Sequence, residues 1–252
     1  SAPINELSMH YQPIVCMNTM KMVKAEALIR WNHPTGNIAP MDFIPIIEQS
    51  DMVHAFGDFV VTHVATDAQA LRNIYGEQFT VAFNLSPAQL RVPRTLVTAV
   101  VALSQYPIVS PGGLCAELLE GMILDNASNT QRNLESLGLA NIGIAIDDFG
   151  TGYSSLNYLA RINADIVKID QSFVRHIDTE TRTKILCEAI IAVAHKLGMA
   201  VVAEGIETQE QWNILQAMGC DMGQGFYIAK PMPLQTLIDT WPAPQATAGE
   251  TT

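Results

Sequence analysis

Residues 142–156, "IGIAIDDFGTGYSSL", decide how the rest of the chain can be interpreted. The apolar beginning of this stretch predicts a buried β-strand that ends in two adjacent carboxylates, Asp147 and Asp148. A loop that contains two glycines follows. Adjacent like charges repel, and partial burial raises their cost further. Two acids at the end of a buried strand therefore require a compensating partner nearby.

Short strand-like segments alternate with longer helical patterns along most of the chain. The candidate strands cover residues 9–16, 23–31, 79–86, 114–120, 142–149, 165–170, 200–205 and 223–229. Helical periodicity covers residues 56–75, 94–104, 129–137, 181–197 and 209–218. Such alternation predicts βα units and a mainly parallel sheet. About eight strands in a chain of this length favour a (β/α)8 barrel over an open sheet.

The first two candidate strands depart from this pattern. Only a short connection that contains "MNTMK" (residues 17–21) separates them, and it is too short for a crossover helix. We expect an N-terminal hairpin, and therefore a TIM-like α/β barrel with one antiparallel strand.

Composition limits the function classes. The chain has 252 residues, 48% of them apolar, and no apolar run near the roughly 20 residues of a membrane helix. Its net charge of −11 argues against a DNA-binding surface. Four scattered cysteines fit a reducing cytoplasm. We expect one domain over residues 1–240, a flexible tail over 241–252, and a cytoplasmic location within a parent chain that could be membrane-anchored.

Polar residues recur in or beside the predicted strands. In a parallel barrel the carboxyl ends of the strands meet at one rim, where barrel active sites lie. Five carboxylates and one amide would share that rim, with further polar residues beside them. The acids and amide are Glu26, Asn84, Glu117, Asp147, Asp148 and Glu204, and the further residues are Glu120, Lys168, Asp170 and Gln224.

This concentration of negative charge indicates a metal site. Oxygen ligands without His or Cys select hard ions such as Mg²⁺ or Mn²⁺. Asp147 and Asp148 could serve two ions, one carboxylate bridging and its neighbour binding the second. Two such ions, about 3.5–4 Å apart, suit the hydrolysis of a phosphodiester.

Each of these residues also has an ordinary structural explanation when it is taken alone. Asp148 could form a turn or cap a helix, Glu117 could lie on the surface, and Asn84 could begin a turn. Lys168 could be an ion-pair partner. The joint pattern favours the metal site, because successive strands place an acid or amide at the same level.

Several motifs together resemble the EAL-domain family of bacterial phosphodiesterases, which convert cyclic di-GMP to linear pGpG. They are "EALIRW" (26–31), "NLS" (84–86), "ELLE" (117–120), "DDFGTGYSSL" (147–156), "VKID" (167–170), "AEGIET" (203–208) and "QGFYIAKPMP" (224–233). The resemblance extends from Tyr11 to Pro233 and implies a barrel with one antiparallel strand. It also implies cyclic di-GMP as substrate, two Mg²⁺ or Mn²⁺ ions and a homodimer.

The resemblance implies a role for each matched residue. Glu26, Asn84, Glu117 and Asp147 correspond to ligands of the first ion, and Asp147 and Asp148 to ligands of the second. Glu204 corresponds to a residue that is either the general base or a ligand of the second ion, and Lys168 to the lysine that contacts the nucleophilic water. Gln12, Arg30, Asp170, Glu207 and Gln224 correspond to substrate-binding or supporting residues, and Glu120 to the acid that holds the loop after Asp148.

One position departs from the family pattern. Leu119 stands where the family usually has a threonine in "ELTE", and we expect this change to tune activity without abolishing it.

Three other functions are alternatives to a cyclic di-GMP phosphodiesterase. They are a non-catalytic cyclic di-GMP receptor, a protein-binding module, and an enzyme for another phosphodiester. A sensory or GGDEF domain in the parent chain is also expected.

Overall fold

The computed structural model describes residues 4–90, 112–123, 128–151, 159 and 163–242. The strands are β1 (Leu7–Cys16), β2 (Met22–His33), β3 (Gly36–Ile38), β4 (Thr80–Asn84), β5 (Leu114–Leu119), β6 (Gly143–Phe149), β7 (Ile166–Ile169), β8 (Ala200–Ala203), β9 (Met222–Gly223) and β10 (Met232–Pro233). The α-helices are α1 (Pro40–Glu48), α2 (Val53–Tyr75), α3 (Pro87–Leu90), α4 (Glu120–Ile123), α5 (Ser128–Leu139), α6 (Gln171–Val174), α7 (Thr181–Lys196), α8 (Gln209–Ala217) and α9 (Leu234–Thr240). The predicted helix over residues 94–104 lies outside the described residues.

Eight of these strands close into a barrel, in the order β1-β9-β8-β7-β6-β5-β4-β2 and back to β1. β1 is antiparallel to both of its barrel neighbours, β2 and β9. The other barrel pairings are parallel. The predicted barrel and its single antiparallel strand are therefore confirmed.

A small apolar cluster takes one residue from each of seven barrel strands. Its members are Ile14, Ala82, Cys115, Ala145, Ile166, Val202 and Met222. Side chains two residues apart on a strand point to the same face. The residue two positions further toward the active rim is a predicted site residue for every one of these strands, either within the strand or directly after it. These residues are Gln12, Asn84, Glu117, Asp147, Lys168, Glu204 and Gln224. The apolar cluster thus forms the floor beneath the site.

The larger apolar cluster lies between the barrel and its helices. Helix α2 contributes Val60, Val64, Ala68 and Leu71, which recur at helical spacing and are buried. This one-sided apolar stripe packs the helix onto the sheet. Within the described residues, no helix is both long and apolar enough to cross a membrane.

The prediction of a strand over residues 223–229 was wrong beyond Gly223. Ile206 N donates to Gln224 O at 3.0 Å, and the chain then turns, because Ile228 N donates to Gly225 O at 3.0 Å. A Cβ on Gly225 would lie 2.1 Å from Ile206 O. This close approach of two backbones redirects the chain, and local alternation of apolar residues does not encode it.

Candidate active site

A β-bulge brings the paired acids Asp147 and Asp148 to the same side of the barrel. Ile146 pairs with Val167 and Phe149 pairs with Ile169, so the two acids together oppose the single residue Lys168. Asp148 has a φ of 52°, in the left-handed region. A regular strand would send adjacent side chains to opposite faces, whereas a bulge re-aims one of them.

The bulge creates a compact group of carboxylates. Ligand oxygens of Asp147, Asp148 and Glu204 all lie within 4.8 Å of one another. Such a group is suited to holding a cation, since every donor atom is a carboxylate oxygen.

Lys168 is the internal cation of this site. Its Nζ lies 2.6 Å from Glu204 Oε1 and 2.9 Å from Glu117 Oε1. The same nitrogen lies 3.2 Å from Asp147 Oδ1 and 3.6 Å from Glu26 Oε2. Burial lowers the pKa of Lys168, but these carboxylates outweigh burial and raise it well above its ordinary value. Lys168 therefore stays charged.

Glu26 connects the lysine to a row of amides. It accepts hydrogen bonds from Asn84 Nδ2 at 2.9 Å and from Gln224 Nε2 at 2.7 Å. Gln224 also donates to Gln12 Oε1 at 2.9 Å, and Gln12 pairs with Glu26 across β1 and β2. Burial opposes the charge of Glu26, but Lys168 and these donors prevail and lower its pKa.

Three acids of the site, Glu117, Asp148 and Glu204, hold their protons more strongly than ordinary carboxyl groups. Burial and the charge of Glu26 raise the pKa of Glu117 well above its ordinary value. Burial raises the pKa of Glu204 to about 8, against the opposing effect of Lys168. Burial, with the charge of Asp147, raises the pKa of Asp148 to about 6. The single positive charge of Lys168 therefore does not neutralise all the acids of the site.

The buried oxygens fit an additional cation. Among the described residues, Glu117 Oε2 is buried and has no hydrogen-bond partner. A carboxylate oxygen in this situation is costly unless a cation meets it. Oxygen-only donors around it suit Mg²⁺ or Mn²⁺ and not a soft ion.

Glu120 holds the loop that follows the two aspartates. Its Oε2 accepts a hydrogen bond from Gly150 N at 3.1 Å. Gly150 has a φ of 97°, and a Cβ there would lie 2.9 Å from the Phe173 ring, so both backbone and space favour glycine. Gly152, the second glycine of this loop, lies outside the described residues.

Four residues singled out in the sequence lie around the group of acids and do not belong to it: Arg30, Asp170, Glu207 and Leu119. Arg30 Nη1 donates to Ile29 O at 2.8 Å. Asp170 caps α6, since its carboxylate accepts from Ser172 N at 3.0 Å. Glu207 is exposed at the cavity beside the acids. Leu119 is 43% exposed and lines an apolar recess next to Glu117, so it lies near the acids without contributing a polar group.

A cavity of about 260 Å³ opens onto the acids. Its lining includes Gln12, Glu26, Asp147, Glu204, Glu207 and Phe226. Phe226 was missed by the sequence interpretation. The sequence does show an aromatic residue directly after "QG" at residues 224–225, which could have indicated a residue of the site. The predicted strand over 223–229 concealed it, because a residue within a strand needs no other explanation.

The fold and the site define an α/β barrel that carries an oxygen-only acidic centre at the carboxyl ends of its strands. The chain belongs to the EAL domain family, whose model matches residues 3–231. Membership of this family implies dependence on a divalent metal, which agrees with the donor set described above.

Similar proteins support the assignment to the EAL domain family. A cyclic di-GMP phosphodiesterase of Pseudomonas aeruginosa, NbdA, is 36% identical over 92% of this chain and 30% of its own length. MucR of the same organism, a bifunctional diguanylate cyclase/cyclic di-GMP phosphodiesterase, is 34% identical over 92% of this chain and 34% of its own. The chain therefore spans about a third of the length of these curated relatives.

A solved structure shows the same architecture. The PaMucR phosphodiesterase in complex with c-di-GMP superimposes with a TM-score of 0.87 at 34% sequence identity. The match covers 92% of this chain and 94% of that one.

Proposed function

We propose that this domain hydrolyses cyclic di-GMP to linear pGpG in a reaction that depends on two divalent metal ions. The observation that carries the proposal is the convergence of Asp147, Asp148 and Glu204 beside the buried Lys168. The names of NbdA and of PaMucR support the choice of substrate.

The chain offers a donor set for each ion. We assign Glu26, Asn84, Glu117 and Asp147 to the first ion, and Asp147, Asp148 and Glu204 to the second, with Mg²⁺ or Mn²⁺ as the ions. When bound, such ions stabilise charge on phosphate oxygens and lower the pKa of a bound water. The convergence of Glu204 with both aspartates favours the ligand role over the general-base role for Glu204.

Lys168 acts as a hydrogen-bond donor and positive charge in this proposal. In the metal-free structure the surrounding carboxylates raise the pKa of Lys168, which favours its role as a proton-bearing hydrogen-bond donor. Its contacts with Glu204 and Asp147 place its charge beside the acids of the second ion. There it can orient a water molecule through its N–H groups.

The amides at the other side of the site are suited to substrate binding. Gln12 and Gln224 line the cavity, and Gln224 donates to both Gln12 and Glu26. We propose that Arg30 contacts a phosphate, using guanidinium N–H groups other than the one that donates to Ile29 O. Glu207 and Asp170 are proposed as supporting residues, and Asp170 acts at least through its cap on α6.

The wider setting is also a proposal. A homodimer, a cytoplasmic location and a sensory or GGDEF domain elsewhere in the parent chain would place the domain in second-messenger signalling. The dual name of MucR supports the presence of a further domain. The domain itself is proposed to cover residues 1–240, with a flexible tail over 241–252.

The deciding experiment is incubation of the domain with cyclic di-GMP and Mn²⁺, followed by chromatographic detection of pGpG. A parallel sample with EDTA should release none. Tight binding of cyclic di-GMP without pGpG at saturating Mn²⁺ would instead support a non-catalytic receptor. Absence of both binding and turnover would overturn the nucleotide assignment.

A further inference from the structure

Gln171 lines the cavity beside the acids, although it lies outside the motifs that define the site. It follows Asp170 directly and is the first residue of α6, with an exposed side chain. The lining of the cavity includes Gln171 together with Asp147 and Glu204. Within the described residues, the carboxamide of Gln171 has no hydrogen-bond partner in the protein. Its donor and acceptor are therefore available to a ligand in the cavity.

Contacts on two sides hold Gln171 at the wall of this cavity. Asp170 caps α6 by accepting a hydrogen bond from Ser172 N at 3.0 Å, which fixes where the helix begins. Gly205 packs directly on Gln171, because a Cβ on Gly205 would lie 2.4 Å from Gln171 Cβ and 3.2 Å from Gln171 Cα. The base of the Gln171 side chain is therefore preorganised, which reduces the entropy cost of a contact made there.

The hydrogen-bonding chemistry of Gln171 differs from that of the acids around it. Asp147, Glu204 and Glu207 line the same cavity, and an ionised carboxylate only accepts hydrogen bonds. A carboxamide donates through its nitrogen and accepts through its oxygen, and it carries no charge. A hydroxyl group likewise donates and accepts. Gln171 is therefore suited to a neutral hydroxyl beside the phosphate and not to the phosphate itself.

A ribonucleotide presents such a hydroxyl close to its phosphodiester. The 2′-hydroxyl lies on the ribose carbon next to the one that carries the phosphate oxygen, and it both donates and accepts. We propose that Gln171 is a specificity-determining residue that hydrogen-bonds the 2′-hydroxyl beside the phosphate that the acids address. This inference rests on the proposed function and deepens it, because it restricts the substrate to cyclic dinucleotides that contain ribose.

The test compares Gln171→Met and Gln209→Met with the wild type. Methionine keeps the Cβ that packs on Gly205 and the length of the side chain, but it removes the amide donor and acceptor. Gln209 is also an exposed glutamine that begins a helix, α8, so Q209M is the matched control. Each protein would be given cyclic di-GMP and its 2′-deoxy analogue. We would measure kcat/KM with Mn²⁺, Kd by calorimetry in Ca²⁺, and affinity for Mn²⁺ alone.

The expected result is a loss of discrimination between the two nucleotides. The wild type and Q209M should prefer cyclic di-GMP to its 2′-deoxy analogue by roughly 3- to 10-fold in kcat/KM and Kd, the range for one hydrogen bond between neutral groups. Q171M should lose this preference while it handles the 2′-deoxy analogue as the wild type does. The affinity for Mn²⁺ should be the same in all three proteins.

The outcomes separate this inference from the proposed function. A preference that is absent in the wild type or retained in Q171M would overturn the role of Gln171. An equal loss with both nucleotides, or a loss of Mn²⁺ affinity in Q171M, would also overturn it, because either result means that the residue does not act on the hydroxyl. If the wild type binds cyclic di-GMP but releases no pGpG, hydrolysis fails while the Kd ratios still decide the role of Gln171. Absence of binding by the wild type would overturn both.

Discussion

Lys168 Nζ lies 2.6 Å from Glu204 Oε1, deep within the barrel. The lysine side chain is only 1% exposed, and Glu26, Glu117 and Asp147 also lie within 4 Å of the same nitrogen. One buried ammonium group therefore compensates several carboxylates at once. A buried ionic group as a whole contributes little net stability. Removal of one of its partners nevertheless lowers the free energy of unfolding strongly, because it leaves the other charges buried without compensation.

We expect Lys168→Met to destabilise the metal-free protein, because several buried acids would lose their cation. The free energy of unfolding in EDTA should fall by about 3–5 kcal/mol, as measured by urea denaturation. Mn²⁺ should restore part of this loss. Lys184→Met, which changes an exposed lysine on α7, is the control and should leave the midpoint of urea denaturation unchanged. Equal stability of K168M and K184M would show that Lys168 does not balance the acids.

Glu26→Ala should abolish hydrolysis of cyclic di-GMP. Glu26 accepts hydrogen bonds from Asn84 and Gln224 and lies near Lys168, so its loss removes a proposed metal ligand and leaves these neighbours without their acceptor. Product formation at saturating Mn²⁺ and Mn²⁺ affinity by calorimetry would be measured. Glu188→Ala removes an exposed acid from α7 and should keep wild-type turnover. Wild-type turnover in E26A would contradict the two-ion assignment.

Mg²⁺ or Mn²⁺ should support turnover, and Ca²⁺ should not. Ca²⁺ is larger and accepts 6–8 flexible ligands, so it can occupy the acids while misplacing a water molecule. The rate would be measured with each metal as the only addition after chelation of traces. Comparable rates with Ca²⁺ would show that the geometry of the site is less demanding than proposed.

Glu120→Ala should reduce turnover much more than it reduces the melting temperature. Glu120 holds Gly150 N, two residues after Asp148, and a shift of about 1 Å in a reacting group can cost on the order of 100-fold in rate. The requirement for Mn²⁺ should also change. Glu120→Gln keeps an acceptor for Gly150 N and is the control. Full activity of E120A with an unchanged Mn²⁺ requirement would mean that the loop is only a turn.

The metal-free protein should become less stable as the pH rises. The folded state holds protons on Asp148 to about pH 6 and on Glu204 to about pH 8, above the ordinary values of these acids. Stability from a raised carboxyl pKa is complete below the unfolded value and is lost as the pH rises through the folded value. The melting temperature in EDTA should therefore fall between about pH 5 and pH 8. Saturating Mn²⁺ should oppose this fall, because metal binding uses the deprotonated acids.

A Glu204→Gln variant isolates the part of this effect that belongs to Glu204. Its melting temperature in EDTA should depend less on pH than that of the wild type, because glutamine does not titrate. An identical pH dependence in both proteins would mean that the titration of Glu204 does not control stability in this range.

Local sequence patterns determined the barrel and most of its acidic rim. The five-residue connection "MNTMK" excludes a crossover helix, and the structure confirms the resulting antiparallel β1. Alternation with a period of two places Glu117 above Cys115 and Lys168 above Ile166 on the inner face. These features are local consequences of chain length and strand geometry, so a single sequence encodes them directly.

Only the tertiary structure decided how adjacent residues share one site. Asp147 and Asp148 converge because a bulge opposite Lys168 and a left-handed φ at Asp148 break the alternation of the strand. Phe226 reaches the cavity because Gly225 packs against the backbone of Ile206 and ends the expected strand. Both features arise from contacts between segments distant in sequence, and the period of a single strand carries no information about them.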